Sequence, residues 1–410
     1  MTAGAVPAAP SRGARRRAAA LLEPVVRRAF APSSQAAAPR LGAEIEFVAV
    51  SEHTGRVAPV EGADGLSILE ALRLPGRRQG WTEGRSAKGA PWFRLPSGGR
   101  VTFEPGGQVE YASPPRTTAT ELLDDLAATA ATLREACAAH DIRLLDCGLD
   151  PVNGPDHAPL QVRAPRYRRM DAHFARIDPA GARMMRQTAS LQVAIDIGAD
   201  ALGRWRLLNA LAPVLTGVFA NSRRYDAEDT GFASYRAETW RRADPARTGL
   251  LSGADPVGAY VDFALRAPAI LLGGDRDAAR PFEAWLDRIE GTAHCEEHLG
   301  TLFPEVRPRG YFEIRSIDAV PEAQWPAAIA LVAGLTYDAD AAVNAAEILG
   351  EPDPGLLEQA GRLALHEPRL ARMARELASV ALSGCQRLGT GFLSETYQGA
   401  AAGFFSRLTT

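Results

Sequence analysis

Cysteine is scarce in this chain. Its 410 residues hold four, Cys137, Cys147, Cys295 and Cys385, scattered and never in a C-x-x-C pair. No Cys/His spacing fits a zinc site, so a zinc module is excluded and a reduced, cytoplasmic protein is the simplest account. Long apolar runs are missing too: none reaches the ~20 residues of a transmembrane helix. A net charge of −3 gives no global attraction to nucleic acid or to a membrane surface. There is no P-loop, no dinucleotide-binding glycine fingerprint and no G-x-S-x-G elbow. Ser97-Gly98-Gly99 and Pro105-Gly106-Gly107 read as short turns. Chemistry must then come from acidic and basic side chains on a sheet rather than from a phosphate loop.

What the chain does have is carboxylates on short alternating segments. They read Gly42-Ala43-Glu44-Ile45-Glu46-Phe47, Thr102-Phe103-Glu104 running through Pro105-Gly106-Gly107 to Gln108-Val109-Glu110-Tyr111, and Tyr311-Phe312-Glu313-Ile314-Arg315. In an extended strand, residues two apart share a face. Glu44 and Glu46 therefore oppose Ile45 and Phe47, and Glu313 and Arg315 oppose Phe312 and Ile314. The apolar faces pack on a core. Carboxylates crowded on the other face repel one another and lose hydration unless a counter-charge is supplied. A lone E-x-E strand is usually a solvated face, but three such segments point to hard divalent cations, and Mg²⁺ held by carboxylates commonly also grips phosphates.

The rest of the chain orders itself around these strands. With 46% hydrophobic residues it can bury a sizeable core. Residues 1–40 are rich in Ala, Pro and Arg and read as a flexible or partly helical segment, with a short amphipathic helix expected over 18–30. No apolar h-region or cleavage site marks a secretory signal, and the chain-wide Ala/Arg bias explains the Arg-rich start better than a transit peptide does. Residues 41–410 read as a single catalytic unit with a helical layer from about residue 322. Strands are expected over 41–50, 100–111 (a hairpin), 142–148, 187–197 and 311–317. Helices are expected over 64–74, 118–140 with Thr117 or Thr118 as cap, 167–177, 181–187, 204–220, 257–264, 282–289, 294–303 and most of the chain after 324. Segments 76–98 and 223–255 read as loops. No internal repeat stands out. The order fits one α+β unit, an antiparallel sheet covered by helices.

Arginines are the second clue. Arg186 precedes the 187–197 strand, Arg236 and Arg247 punctuate the polar segment after it, and Arg307, Arg309 and Arg315 surround Glu313. Arg grips carboxylates and phosphates with a bidentate fork. Glutamate-held metal beside several arginines suits ATP and a carboxylate substrate. Arg241 and Arg242 read as solvated surface charges.

The run from His298-Leu299-Gly300-Thr301-Leu302-Phe303-Pro304 to Tyr311-Phe312-Glu313-Ile314-Arg315 resembles the signature of plant-type glutamate–cysteine ligases and their actinobacterial relatives in ergothioneine synthesis. Glu104–Glu110, Met184-Met185-Arg186-Gln187 through Gln192-Val193, Ala220-Asn221-Ser222, and Gly231-Phe232…Arg236…Trp240…Arg247-Thr248-Gly249 match as well, in order from about residue 40 to 345. The resemblance implies a glutamine-synthetase-like α+β fold with a curved antiparallel sheet forming a funnel, and it implies ATP and Mg²⁺. Carried over, Glu44, Glu46, Glu104, Glu110 and Glu313 would hold the metals with Gln192 nearby. Arg315 would act with Glu313 on the transferring phosphate or the glutamate. Arg186, Arg236 and Arg247 would serve phosphate or substrate carboxylates.

The implied reaction activates the glutamate γ-carboxylate as an acyl phosphate, which the cysteine amine then attacks. It needs only small-molecule substrates, no nucleic acid and no membrane. Three departures from the family pattern, Ala194 for Asn, Gly300 for Thr and Arg223 for Pro, leave a different amine acceptor open. Glutathione and ergothioneine synthesis both begin with γ-glutamylcysteine.

Overall fold

The alternating segments join into one antiparallel sheet. The computed structural model describes residues 11–32, 39–62, 67–87, 89–273 and 280–409. Within them the sheet has nine strands. These are β1 (Leu41–Ser51), β2 (Thr82–Arg85), β3 (Pro91–Arg94), β4 (Arg100–Phe103), β5 (Val109–Ala112), β6 (Ile142–Leu145), β7 (Ser190–Asp196), β8 (Val306–Pro308) and β9 (Tyr311–Asp318). Their order is β8-β9-β7-β1-β5-β4-β3-β2, with β6 on the second half of β1. The first half of β1 pairs with β5 and β7, so Glu44 lies opposite both Ala112 and Gln192, and Glu46 lies opposite Glu110.

One face of this sheet is the core. Ile45, Phe47, Val101, Phe103, Val109, Tyr111, Leu191, Val193, Ile195, Phe312 and Ile314 are all buried. Each such side chain contributes ~1.5–3 kcal/mol of transfer free energy. Helices Ala119–Ala138, Ala201–Val218 and Trp325–Tyr337 pack against it. Thr118 caps the first of these by accepting from the Glu121 amide at 3.1 Å. Trp325–Tyr337 is apolar on every side because it sits between Ala339–Leu349, Pro368–Leu388 and Glu395–Phe405. No single helix among the described residues is long and apolar enough to cross a membrane.

The N-terminal segment joins the same core. Helices Arg12–Leu21 and Glu23–Ala29 bury Ala18, Leu22 and Val26, and Phe30 sets its ring edge-on to Trp205, Tyr260 and Phe312. Residues 1–10 and 33–38 of that segment, and 64–66 of the helix expected from 64, lie outside the described residues.

Two expected loops are structured. The helix expected to end near Pro75-Gly76 continues to Arg78, and β2 and β3 follow it. Packing explains both. The Trp81 amide bonds the Gly76 carbonyl at 2.8 Å, and a Cβ on Gly76 would stand only 3.1 Å from the Trp81 ring. The glycines that signal a loop are there to admit indole rings. The polar segment after residue 223 contains helix Tyr235–Ala243, started by Ser234 accepting from the Ala237 amide at 3.1 Å. At the other extreme, the helix expected over 294–303 ends at Leu299, and Phe303-Pro304 pair with Thr248-Gly249 instead. Gln187 closes helix Ala180–Gln187 rather than opening β7.

Candidate active site

The polar face of the sheet floors a cavity of about 460 Å³. Glu44, Glu46, Glu104 and Glu110 line it, with Arg100 beside them on β4, and so do Arg166, Arg236, Arg307, Arg309 and Arg315. Tyr167, Met170, Met184, Met185, Trp240 and Phe303 close the remaining wall. Strand register gathers the acids, since Glu110 faces Glu46 on one neighbour and Thr102 on the other. Glu104 is brought in by the β4–β5 turn. That turn is pressed onto the end of helix Ala180–Gln187: a Cβ on Gly106 would stand 1.9 Å from the Arg186 carbonyl oxygen, and Gly107 takes φ +94°. Gln108 donates to the Thr188 carbonyl at 2.8 Å and fixes it there.

Gln192 joins the two halves. Its Nε2 donates to Glu46 Oε1 at 2.8 Å, and its Oε1 accepts from Arg315 at 2.7 Å. Arg315 lies over the rings of Trp240 and Phe303, 5.1 and 5.6 Å from their centroids. Arg236 is buried; it donates to the Arg315 carbonyl at 2.9 Å and faces Asp318 at 3.7 Å.

Electrostatics divide the five glutamates expected to bind metal. Burial, then repulsion from Glu110, Glu313 and Glu46, pushes Glu44 well above the usual carboxylate range. Burial and the charges of Glu104 and Glu46 do the same to Glu110. Burial and Glu46 raise Glu104 to about 7. Glu313 goes the other way. Burial would raise it, but Arg307, Arg315 and Arg309 outweigh burial and hold it at about 2. It accepts from these three at 2.7, 3.0 and 3.1 Å. Glu313 is thus compensated by the protein itself and is not among the residues that line the cavity, whereas Glu44, Glu104 and Glu110 lack enough protein cations.

This donor set fits Mg²⁺. Its oxygens are hard, and its raised carboxylates show an unmet need for positive charge. Among the described residues no three His, Cys, Asp or Glu side chains form a cage that could hold a metal ion.

The structure does not bring every expected residue here. Arg186 lies outside the cavity lining and forks onto Asp171, with its Nε 2.8 Å from Oδ1. Arg247 is fully buried elsewhere, bonded to Asp244 at 2.8 Å, to Thr301 Oγ1 at 2.8 Å and to the Pro268 carbonyl. His173 shares the same Asp244 carboxylate at 3.0 Å. Arg247 therefore clamps the loops that carry Phe303 and is not among the residues that line the cavity. Of the departures from the family pattern, Ala194 lines a neighbouring 340 Å³ cavity that also contains Glu44 and Arg309. The Gly300 carbonyl accepts from Arg166, whereas Arg223 is exposed and paired with Asp229 at 2.8 Å.

Sequence reasoning missed Arg100, Arg166, Tyr167 and Trp240 as cavity residues. Arg100 was findable, because it extends the period-two row of Thr102 on β4. Arg166 and Tyr167 open helix Pro165–Ile177, and nothing in their spacing pointed to the sheet.

The fold is shared with a solved ligase. The crystal structure of the glutamate–cysteine ligase (gshA) of Francisella tularensis in complex with AMP superposes with a TM-score of 0.54, over 91% of this chain and 82% of that one, at 12% identity. The sequence goes further. The model of glutamate-cysteine ligase family 2 (GCS2) matches residues 40–385, and the chain belongs to that family. The glutamate–cysteine ligase EgtA of Mycolicibacterium smegmatis is 36% identical over 356 residues, 80% of this chain and 82% of that protein. EgtA of Mycobacterium tuberculosis H37Rv is 34% identical, over 75% of each chain. The chloroplastic glutamate–cysteine ligase of Medicago truncatula is 28% identical, over 72% of this chain and 63% of that one.

Proposed function

We propose that the protein joins the γ-carboxylate of L-glutamate to the amine of L-cysteine with ATP, through γ-glutamyl phosphate, giving γ-glutamylcysteine for low-molecular-weight thiol synthesis. The observation that carries this reading is the cavity that brings four carboxylates and six arginines together, with Gln192 bonded to both Glu46 and Arg315. Two anions, a carboxylate and a triphosphate, must meet for the first step. Arg236, Arg307, Arg309 and Arg315 supply the positive side of that encounter. Glu44, Glu46, Glu104 and Glu110 would hold Mg²⁺, which screens the phosphates and stabilises the charge that develops in transfer. Glu313 keeps three arginines fixed and charged, a positioning role.

A γ-carboxylate oxygen attacks the γ-phosphorus, and the bond to the ADP oxygen breaks. The acceptor then attacks the acyl carbon as its free amine, phosphate leaves with the electrons of the C–O bond, and the nitrogen gives up its extra proton to the departing phosphate or to water. Neither step needs a protein nucleophile. The four cysteines fit that account: Cys137, Cys295 and Cys385 are buried, and burial raises the pKa of every one of them. We take residues 41–410 as the catalytic unit, and the cytoplasm, where ATP and reduced cysteine coexist, as its location. Ergothioneine or glutathione synthesis would take up the product.

A second reading, the same activation with a different amine, rests on Ala194, whose small side chain borders the 340 Å³ cavity next to Glu44 and Arg309. The purified protein should be given ATP, Mg²⁺ and glutamate with cysteine or a panel of other amines, while ADP and product mass are followed. Cysteine-dependent ADP and γ-glutamylcysteine are expected. Turnover only with another amine would replace the first reading by the second, and no turnover with any amine would sink both.

A further inference from the structure

A second cavity, of about 720 Å³, shares no described lining residue with the first, whose wall mixes four glutamates with six arginines. Among the described residues its wall carries Arg223, Arg224, Arg375, Arg407 and His366, and no Asp or Glu. The arginines differ in how they are engaged. Arg223 is neutralised by Asp229 at 2.8 Å. Arg224 donates to the Ala227 carbonyl at 2.6 Å and also acts on the Asp229 carboxylate across the strand, whereas Arg375 donates to the Leu408 carbonyl at 3.5 Å, a partner without net charge. Arg407 donates to the Gly403 carbonyl at 3.0 Å. Several guanidiniums around an apolar floor that includes Leu149 make a concave site for a small phosphate-bearing anion.

The wall between the cavities is a hydrogen-bonded chain. Ser222 and Asn221 line the second cavity. Ser222 Oγ donates to Asp318 at 2.7 Å and accepts from the Arg236 amide at 3.0 Å, while the Asn221 amide donates to Asp318 at 2.8 Å. Asp318 is buried and faces the guanidinium of Arg236, which lines the first cavity. An anion that shifts Asn221-Ser222 thus acts on the seat of Arg236.

We propose that this second cavity binds a phosphate-bearing small molecule as an effector, and that occupancy changes how Arg236 receives the carboxylate substrate. The binding half stands without the ligase reading; the kinetic half rests on it. The probe is inorganic pyrophosphate, titrated without Mg²⁺ by isothermal calorimetry into the wild type, the double variant Arg224→Gln/Arg375→Gln, and Arg315→Gln. Two binding events are expected in the wild type. The double variant should lose or weaken one of them by about tenfold or more, as expected when charge-assisted hydrogen bonds go, and Arg315→Gln should keep it. If the double variant binds as the wild type does, or if only Arg315→Gln loses binding, the site is refuted whatever the protein catalyses. In turnover assays, pyrophosphate competing at the first cavity affects wild type and double variant alike. An additional change in the KM for glutamate seen only in the wild type supports the effector role, and identical responses overturn it even where calorimetry finds the site.

Discussion

His298 ties the stability of the site's framework to pH. It lies in helix Ala293–Leu299, is 3% exposed, and places Nε2 2.8 Å from the Ala264 carbonyl. That carbonyl can only accept, so Nε2 carries the proton and Nδ1 is bare. The ring stacks on Phe282 at 4.0 Å and 5°. Burial, and then the charge of Arg247, lower its pKa from 6.5 to about 3, against a smaller raising effect of the Ala264 carbonyl. The unfolded chain takes up this proton near pH 6.5 while the folded chain refuses it. The folded state is therefore favoured without penalty above 6.5 and loses stability as pH falls from there toward 3. Each pH step below the unfolded value costs about 1.4 kcal/mol, which gives a loss of roughly 2 kcal/mol between pH 7 and pH 5.

His298→Gln isolates this contribution. Glutamine keeps an N–H for Ala264 and does not titrate, although it gives up the stacking on Phe282, ~1 kcal/mol at pH 7. Urea unfolding of both proteins at pH 7, 6 and 5 supplies the comparison, because the other titrating groups cancel in the difference. The wild type should lose about 2 kcal/mol more than the variant over that range. If both lose the same amount, the imidazole is not held neutral in the folded protein and the argument fails. The consequence reaches the cavity, since the segment after His298 supplies the Gly300 carbonyl to Arg166 and Phe303 to the cavity wall.

Other perturbations separate the roles of charged residues. Glu110→Gln should raise Tm without Mg²⁺, by removing a repelled carboxylate, yet abolish turnover; a variant with near-native kcat would refute the metal assignment. Glu313→Ala should lower stability by ~3–5 kcal/mol in denaturant titration, because three arginines lose their shared partner. Arg247→Ala should cost stability on a similar scale, ~3–5 kcal/mol, but leave the KM for glutamate of the folded fraction unchanged; a selective KM effect would restore it to the substrate site. Arg315→Lys should cut kcat/KM by about tenfold or more with little change in Tm, since an ammonium cannot replace the fork or the planar contact over the rings of Trp240 and Phe303.

Period-two alternation is a local signal, and it was legible wherever one strand face is buried. Ile45, Phe47, Leu191, Val193, Phe312 and Ile314 all face the core as their spacing requires. The hairpin at Pro105–Gly107 and the Thr118 cap were equally local. The β2–β3 hairpin was not, because its glycines serve Trp81 and Trp92. A Cβ on Gly84 would sit 2.3 Å from the Trp92 ring, a tertiary contact that composition reports as loop. The helix at Tyr235–Ala243 was hidden by its arginines, which meet Glu238 and Asp178 only in the folded chain.

The same distinction runs through the site. Four glutamates could be placed together because strand register converts sequence alternation into proximity, as in Glu46 beside Glu110. Arginines obey no such rule, because a long side chain reaches its partner from any element. Arg186 and Arg247 have the right residue type in the right neighbourhood, yet Asp171 and Asp244 claim them. Arg307 and Arg309 share Glu313 with Arg315, and all three still line the cavity. What separates these arginines from Arg186 and Arg247 is that they line the cavity, not that they lack a partner. Glu44, Glu104 and Glu110 are the groups that burial and mutual repulsion leave least compensated, and the Mg²⁺ proposed for this site would supply the counter-charge they lack.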